Sequence, residues 1–111
     1  MTVFKVGLVF ILALAGYSDA SYCVCKSGVS DSVLQKNIDY ACGNGADCAA
    51  IHQNGTCYNP NTVKDHCSYA VNSYYQKQGN APSSCDYGGT VTVTSNPPNV
   101  SSSCVYPSGA K

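Results

Sequence analysis

Residues 66–76 read HCSYAVNSYYQ, so one cysteine and three tyrosines fall within eleven positions. Thr62 and Asp65 lie just before this stretch, and their three-residue spacing is typical of the capping box that begins a helix. Gly79 follows the stretch, and glycine commonly ends a helix because it adopts left-handed backbone angles without strain. We therefore predict a helix over residues 63–78 that contains the whole stretch.

Helical geometry separates the side chains of this predicted helix into two groups. At 100° per residue, one face collects the residues that we expect to point into the core: Val63, Cys67, Ala70 and Tyr74. The shoulders and the outer face hold the side chains that we expect to meet solvent or a ligand: Tyr69, Tyr75, Asn72 and Gln76. Cys67 is then an inward-facing disulfide partner.

The segments on either side predict a second helix and a strand. Ser30 or Asp31 can cap a helix that runs to about Ala41, because apolar residues recur there at helical spacing. We expect an extended segment at 21–29 and a half-buried strand at 90–94, where TVTVT alternates and is β-branched throughout. The fold class is therefore α+β: a small disulfide-rich secreted module with two main helices, a minor antiparallel β-sheet and long loops.

The N-terminal residues 1–20 have the pattern of a secretory signal peptide. One lysine is followed by an apolar run at 6–15, and the small residues Ser18 and Ala20 provide a cleavage site. The run is about ten residues long, whereas a membrane-spanning helix needs roughly 20. We therefore expect a secreted mature domain at 21–111.

All eight cysteines lie in this predicted mature domain. An even number of cysteines in a small secreted chain indicates a disulfide framework. Metal binding is not expected, because the cysteine spacings lack the paired C-x-x-C motifs of zinc sites. Asn54 and Asn99 each begin a sequon in a predicted loop, so both are candidate N-glycosylation sites.

The charge of the chain narrows the class of partner. It has six basic and six acidic residues, all of them lysine or aspartate, so its net charge is zero. Such a balance gives no basis for binding nucleic acid or an anionic membrane, and a neutral partner fits better. No cofactor is expected.

Five segments together resemble the X8 domain, which is also called carbohydrate-binding module family 43. They are YCVC, LQKNIDYACGNGADC, NGTCYNPNTV, HCSYAVNSYYQ and SCDYGGT, and the resemblance covers residues 22–106. Within that family, the chain is similar to the plasmodesmata callose-binding proteins of plants. The resemblance implies non-catalytic binding of β-1,3-glucan, which includes callose, in the cell wall and at plasmodesmata.

The same resemblance implies a set of disulfides: Cys23–Cys85, Cys42–Cys48 and Cys57–Cys104, with Cys25 and Cys67 left to pair with each other. The chain departs from the family in two places. Tyr22 occupies a position where the family often has tryptophan. The chain also stops at Lys111, without the serine-rich linker and glycolipid-anchor signal that callose-binding relatives usually have. We therefore expect a monomeric module with no encoded membrane anchor.

The chemistry of a neutral sugar indicates which residues would bind it. An aromatic ring covers the apolar C–H face of the sugar while hydroxyl and amide groups bond to its polar edge, and tyrosine combines both properties. We therefore predict glycan binding by six residues: Tyr58, Asn59, Tyr69, Asn72, Tyr75 and Gln76, with Tyr87 beside Asp86 as a further candidate. The alternative interpretation is that these tyrosines pack inside a module that has no larger aromatic residue.

Two other classes of function are less consistent with the sequence. Glycoside hydrolysis usually needs two carboxylates that flank the bond, and no such pair is marked in a chain without glutamate. A small cysteine-rich defence or lipid-carrier protein remains the alternative, since plant lipid-transfer proteins also have eight cysteines. Their pattern includes an adjacent Cys-Cys pair, which this chain lacks.

Overall fold

The computed structural model describes residues 20–98 and 103–108. It confirms the α+β class, with two helices and one small sheet. The element order is β1 (Tyr22–Cys25), α1 (Asp31–Gly43), a 3₁₀ helix (Cys48–Ile51), α2 (Val63–Lys77), 3₁₀ turns at Pro82–Ser84 and Tyr87–Gly89, and β2 (Val91–Thr94).

Part of the predicted organisation lies outside the described residues. The signal peptide falls there except for Ala20, and so does the sequon at Asn99. Within the described ranges, no helix is both long enough and apolar enough to span a bilayer.

Both helices begin at hydroxyl caps. Ser30 is the cap of α1, because its Oγ accepts a hydrogen bond from the Val33 amide at 3.4 Å. Thr62 caps α2 as predicted: its Oγ1 accepts from the Asp65 amide at 3.0 Å and donates to the Asp65 carboxylate at 2.6 Å. Each such cap stabilises a helix by about 1 kcal/mol.

Helix α2 ends one residue earlier than predicted, at Lys77. Gly79 follows with a φ of 71°, and the Asn80 amide bonds back to the Tyr75 carbonyl at 3.0 Å. The Gly79 amide bonds to the Gln76 carbonyl at 3.1 Å, which completes a Schellman motif. The glycine signal in the sequence therefore marked this end correctly.

The two strands form an antiparallel sheet in which Tyr22 lies opposite Thr94. The other edge of β1 faces α2 and is closed by side chains of that helix. The Cys23 amide donates to Asn72 Oδ1, and the Cys25 amide donates to Ser68 Oγ, both at 3.0 Å. Polar side chains of α2 thus satisfy backbone donors that an open strand edge would leave exposed.

Helix α2 is buried on almost every side. All residues from Cys67 to Ser73 are buried, and so is Tyr75. The cause is that α1 and β1 both pack against this helix, while the C-terminal segment 103–108 covers a third side. A helix at the surface of a domain has one apolar face, whereas this one is surrounded by the rest of the fold.

Four disulfides join the elements, and their pairs are the ones that the family resemblance implies: Cys23–Cys85, Cys25–Cys67, Cys42–Cys48 and Cys57–Cys104. Two of them start from β1, so the strand is linked both to α2 and to the loop before β2. The widest link spans 62 residues. In the chain-entropy treatment, such a link stabilises the fold by roughly 4 kcal/mol.

Candidate functional site

The structure buries both tyrosines that the helical pattern placed on the exposed shoulders of α2. Tyr69 is 6% exposed and packs edge to face against Tyr106, with ring centroids 5.3 Å apart. Tyr75 is 5% exposed, and its hydroxyl lies 3.2 Å from Ser21 Oγ. The predicted exposure of these two rings is therefore wrong, because the terminal segments of the domain cover both shoulders.

The amides of Asn72 and Gln76 also have structural partners. Asn72 is fully buried, and its Oδ1 accepts from the Cys23 amide and from Gln76 Nε2. Its Nδ2 donates to the Pro107 carbonyl at 2.9 Å. Gln76 Nε2 also donates to the Ser21 carbonyl at 2.8 Å. We call this pair of residues the amide clamp. The expectation that both lie on an outer face is wrong for Asn72, while Gln76 is half-buried.

The remaining predicted pair stays at the surface. Asn59 is exposed, and Tyr58 is half-buried. The Tyr58 ring lies 5.5 Å from the ring of His66 at an angle of 35°, and the Tyr58 carbonyl is 2.7 Å from His66 Nε2. Tyr58 and Asn59 therefore remain candidates for glycan binding, because an accessible ring lies beside an exposed amide.

Three other tyrosines form an aromatic surface that the sequence did not indicate as a unit. Tyr40 lies on α1, Tyr74 on α2 and Tyr87 in the 3₁₀ turn before β2. The Tyr40 ring is 5.6 Å from that of Tyr74 and 5.7 Å from that of Tyr87, and all three pairs meet edge to face. We call these three residues the tyrosine cluster. Tyr74, expected in the core, is only half-buried within this group.

The position of each ring follows from its own element. Tyr40 is 52% exposed because it lies on the side of α1 away from the buried Leu34 and Ile38. The turn that holds Tyr87 is fastened to α1, since Asn37 Nδ2 donates to Thr90 Oγ1 at 2.9 Å. Thr90 Oγ1 in turn donates to the Tyr87 carbonyl at 2.7 Å. The rings of the tyrosine cluster are therefore carried by two helices and by a turn that hydrogen bonds join to α1.

A groove of about 270 Å³ adjoins the tyrosine cluster. Its walls are the three rings together with Ser83, Asp86 and Gly88. Aromatic rings therefore lie beside a hydroxyl and a carboxylate, an arrangement that can contact both the apolar face and the polar edge of a sugar. We call this space the cluster groove.

Two phenols of the cluster, those of Tyr74 and Tyr87, have a raised pKa. The pKa of Tyr74 is raised, first by its hydrogen bond with Tyr40 and then by burial. Burial also raises the pKa of Tyr87, with a smaller contribution from the neighbouring phenols. At physiological pH these hydroxyls are consequently uncharged groups that can both donate and accept hydrogen bonds.

A larger groove, of about 580 Å³, lies on another side of α2. Tyr69 and Gln76 from the predicted set line it, together with Ser73, Asp47 and Lys77. Burial, followed by the Asp47 charge, raises the pKa of Tyr69, but its ring offers almost no accessible face. The larger groove is also lined by Ala46, Val105 and Pro107, and it offers no accessible aromatic face, so the cluster groove is the better candidate.

Simple sequence signals could have indicated part of the tyrosine cluster. The same helical pattern that predicts Ile38, Ala41 and either Val33 or Leu34 as core places Tyr40 on the opposite side of α1. Tyr87 was already a further candidate. Among the described residues, no group of His, Cys, Asp or Glu could hold a metal ion, and no cysteine there is free.

The chain is similar in sequence to a known domain family and to several plant proteins. The X8 domain family model matches residues 21–92. The chain is 56% identical over 99 residues to plasmodesmata callose-binding protein 2 of Arabidopsis thaliana, which covers 89% of this chain and 50% of that protein.

Two further relatives belong to other kinds of protein. Glucan endo-1,3-beta-glucosidase 7 of A. thaliana is 45% identical over 90 residues, which cover 81% of this chain and 18% of that protein. The major pollen allergen Ole e 10 of Olea europaea is 48% identical over 86 residues, which cover 77% and 69%. The chain spans about half the length of the callose-binding relatives that it matches.

Proposed function

Because the chain belongs to the X8 domain family, we propose that it binds β-1,3-glucan, the class that includes callose, and does so without cleaving it. The single observation that carries the assignment of the site is the tyrosine cluster. A half-exposed ring and two partly buried ones meet edge to face beside a groove that Asp86 and Ser83 also line. Relatives that are named for callose binding support the choice of glucan.

The mode of binding follows from the two kinds of surface that a pyranose presents. The Tyr40 ring covers the apolar C–H face of a sugar, while Ser83 and Asp86 bond to hydroxyls at its edge. A charged polymer is not favoured, because the residues that line the cluster groove include one carboxylate and no cation. Tyr58 with Asn59 remains a proposed outlying contact for a longer chain.

The absence of cleavage is part of the proposal. Asp86 is the single carboxylate among the residues that line the cluster groove, whereas glycoside hydrolysis usually needs a pair. In the glucosidase relative, the matched region makes up only 18% of the protein. Both observations favour a binding module over a hydrolase.

A sedimentation assay tests this function. The purified protein is mixed with insoluble β-1,3-glucan, and with cellulose as the control polymer of different linkage. We expect retention on the β-1,3-glucan, no release of reducing sugar, and no displacement of a fluorescent fatty acid from a mixture that contains it. Failure to sediment would overturn the proposal, and displacement of the fatty acid would favour a lipid carrier instead.

The cellular setting is proposed on separate grounds. Four disulfides are typical of extracellular proteins. We propose secretion through the signal peptide at 1–20, residence in the cell wall near plasmodesmata, and a monomeric state. Light scattering during size-exclusion chromatography measures that state directly.

Asn54 is a proposed glycosylation site. Its side chain is exposed, and Thr56 of the same sequon is exposed as well. Gly55 between them packs against the Ala50 carbonyl oxygen so closely that no Cβ would fit there, and Asn54 adopts a φ of 75° in the same turn. The mass of the secreted protein, compared with that of Asn54→Gln, tests this modification.

A further inference from the structure

Tyr87 adopts a backbone conformation that is unusual for its residue type. Its φ is 41°, in the left-handed region. The other two non-glycine residues with positive φ in the described part of the chain are Asn54 and Asn80. Asparagine tolerates this region, because its short side chain can bond locally, whereas a bulky residue there is strained. Such strain is concentrated at functional sites in proteins.

The hydroxyl of the same residue is unusual for a second reason. Among the buried side-chain nitrogen and oxygen atoms of residues 20–98 and 103–108, Tyr87 Oη is the one without a hydrogen-bond partner. Buried polar groups are nearly always paired, because they have lost their bonds to water. Phenylalanine would fill the same space without this unfavourable term.

Both features occur at the cluster groove. The Tyr87 ring lines the groove together with those of Tyr40 and Tyr74, and Tyr40 is half in solvent. An exposed ring of this kind changes rotamer on a nanosecond timescale. For a ligand hydroxyl to reach Tyr87 Oη, which is buried in the free protein, a side chain that lines the cluster groove must move.

We propose that Tyr87 is a sugar-binding residue of the cluster groove: its hydroxyl forms a hydrogen bond with a hydroxyl group of the bound pyranose, and this bond supplies the partner that the free protein lacks. The inference rests on the proposed function, since it names a contact within that site. The polar atom is held in place by a strained turn, and the bond forms only when a sugar is present.

The test compares Tyr87→Phe with the parent protein. Binding of laminarihexaose, a soluble β-1,3-linked hexamer of glucose, is measured by calorimetry, and the melting temperature is measured without ligand. We expect the affinity of the variant to fall about tenfold, as for a lost hydrogen bond to a buried group. We expect its melting temperature to stay equal or rise, because an unpaired buried hydroxyl is removed.

Tyr106→Phe is the matched control. Its hydroxyl is also buried, but it donates to the Asp65 carbonyl at 3.4 Å, away from the cluster groove. This variant should bind laminarihexaose as the parent does and should not gain stability.

The outcomes separate this inference from the proposed function. If the parent binds and Tyr87→Phe binds equally well, the inference is overturned and glucan binding stands. A variant that loses stability together with affinity also overturns it, since the hydroxyl would then support the fold. If the parent itself does not bind laminarihexaose or insoluble β-1,3-glucan, the proposed function fails and the inference fails with it.

Discussion

The amide clamp and the tyrosine cluster both involve the C-terminal half of α2. The buried amides of the clamp are hydrogen-bonded, whereas one buried hydroxyl of the cluster is not. Asn72 is fully buried, and its amide bonds to β1, to Gln76 and to the C-terminal segment. Tyr87 Oη is also buried but has no partner. The satisfied polar network holds the fold together, whereas the unsatisfied hydroxyl beside an exposed ring belongs to the surface that we propose as the glycan site.

Removal of the amide clamp should give the largest effect on stability. Asn72→Ala leaves the Cys23 amide and the Pro107 carbonyl without their present partner inside the protein. We expect the free energy of unfolding to fall by about 3 kcal/mol, as when several buried hydrogen bonds are lost together. Urea unfolding with the disulfides intact measures the change.

Asn59→Ala serves as the control for this variant, because it removes an exposed amide. Its effect should stay within about 0.5 kcal/mol. If Asn72→Ala proved as mild as the control, Asn72 would not be structural, and its earlier assignment as a glycan ligand would regain support.

Removal of the exposed ring of the tyrosine cluster should affect binding more than stability. Tyr40→Ala deletes a platform that is half in solvent, so its melting temperature should change little. The affinity for laminarihexaose should fall about tenfold, which corresponds to about 1.4 kcal/mol. Tyr58→Ala, at the outlying contact, should weaken binding less. The assignment of the site would be wrong if Tyr58→Ala had the larger effect.

The smallest effect on stability should come from pH: raising it should leave the free energy of unfolding unchanged near neutrality and lower it above pH of about 10. Burial raises the pKa of Tyr106 and Tyr87 above the ordinary value of 10.0. The folded state then holds these protons more tightly than the unfolded state, so their contribution to stability is complete below pH of about 10 and is lost as pH rises towards the folded pKa. The urea midpoint should be unaffected by these groups at neutral pH and should fall above pH of about 10.

Tyr106→Phe offers a control for the alkaline series. It should reduce the dependence of the urea midpoint on pH, since one raised phenol is removed. An equal dependence in the variant and the parent would mean that other groups cause the alkaline loss.

Local signals in the sequence predicted the secondary structure well. Thr62, Asp65 and Gly79 act within one turn of each end of α2, so their chemistry could be identified without knowledge of the rest of the fold. The four disulfide pairs were implied by the family resemblance, because spacing alone leaves many connectivities open.

The placement of the glycan-binding residues depended on information that the sequence pattern lacks. A helical wheel gives the relative directions of Tyr69, Tyr74 and Tyr75, but not which directions are covered by other segments. The segment 103–108, which covers Tyr69, has no periodicity that indicates where it packs. The left-handed backbone of Tyr87 was equally hidden, because bulky residues rarely adopt it and the residue type gives no signal for it.

The two disulfides of β1 bear on how the module would respond to a mechanical load. Cys85 of the first disulfide lies two residues before Tyr87, and Cys67 of the second lies seven residues, about two helical turns, before Tyr74. A covalent route through four cysteines therefore connects the backbones beneath two of the three rings. Tension applied through a polymer bound across these rings would load sulfur–sulfur and peptide bonds. The sugar would therefore dissociate before the domain unfolds.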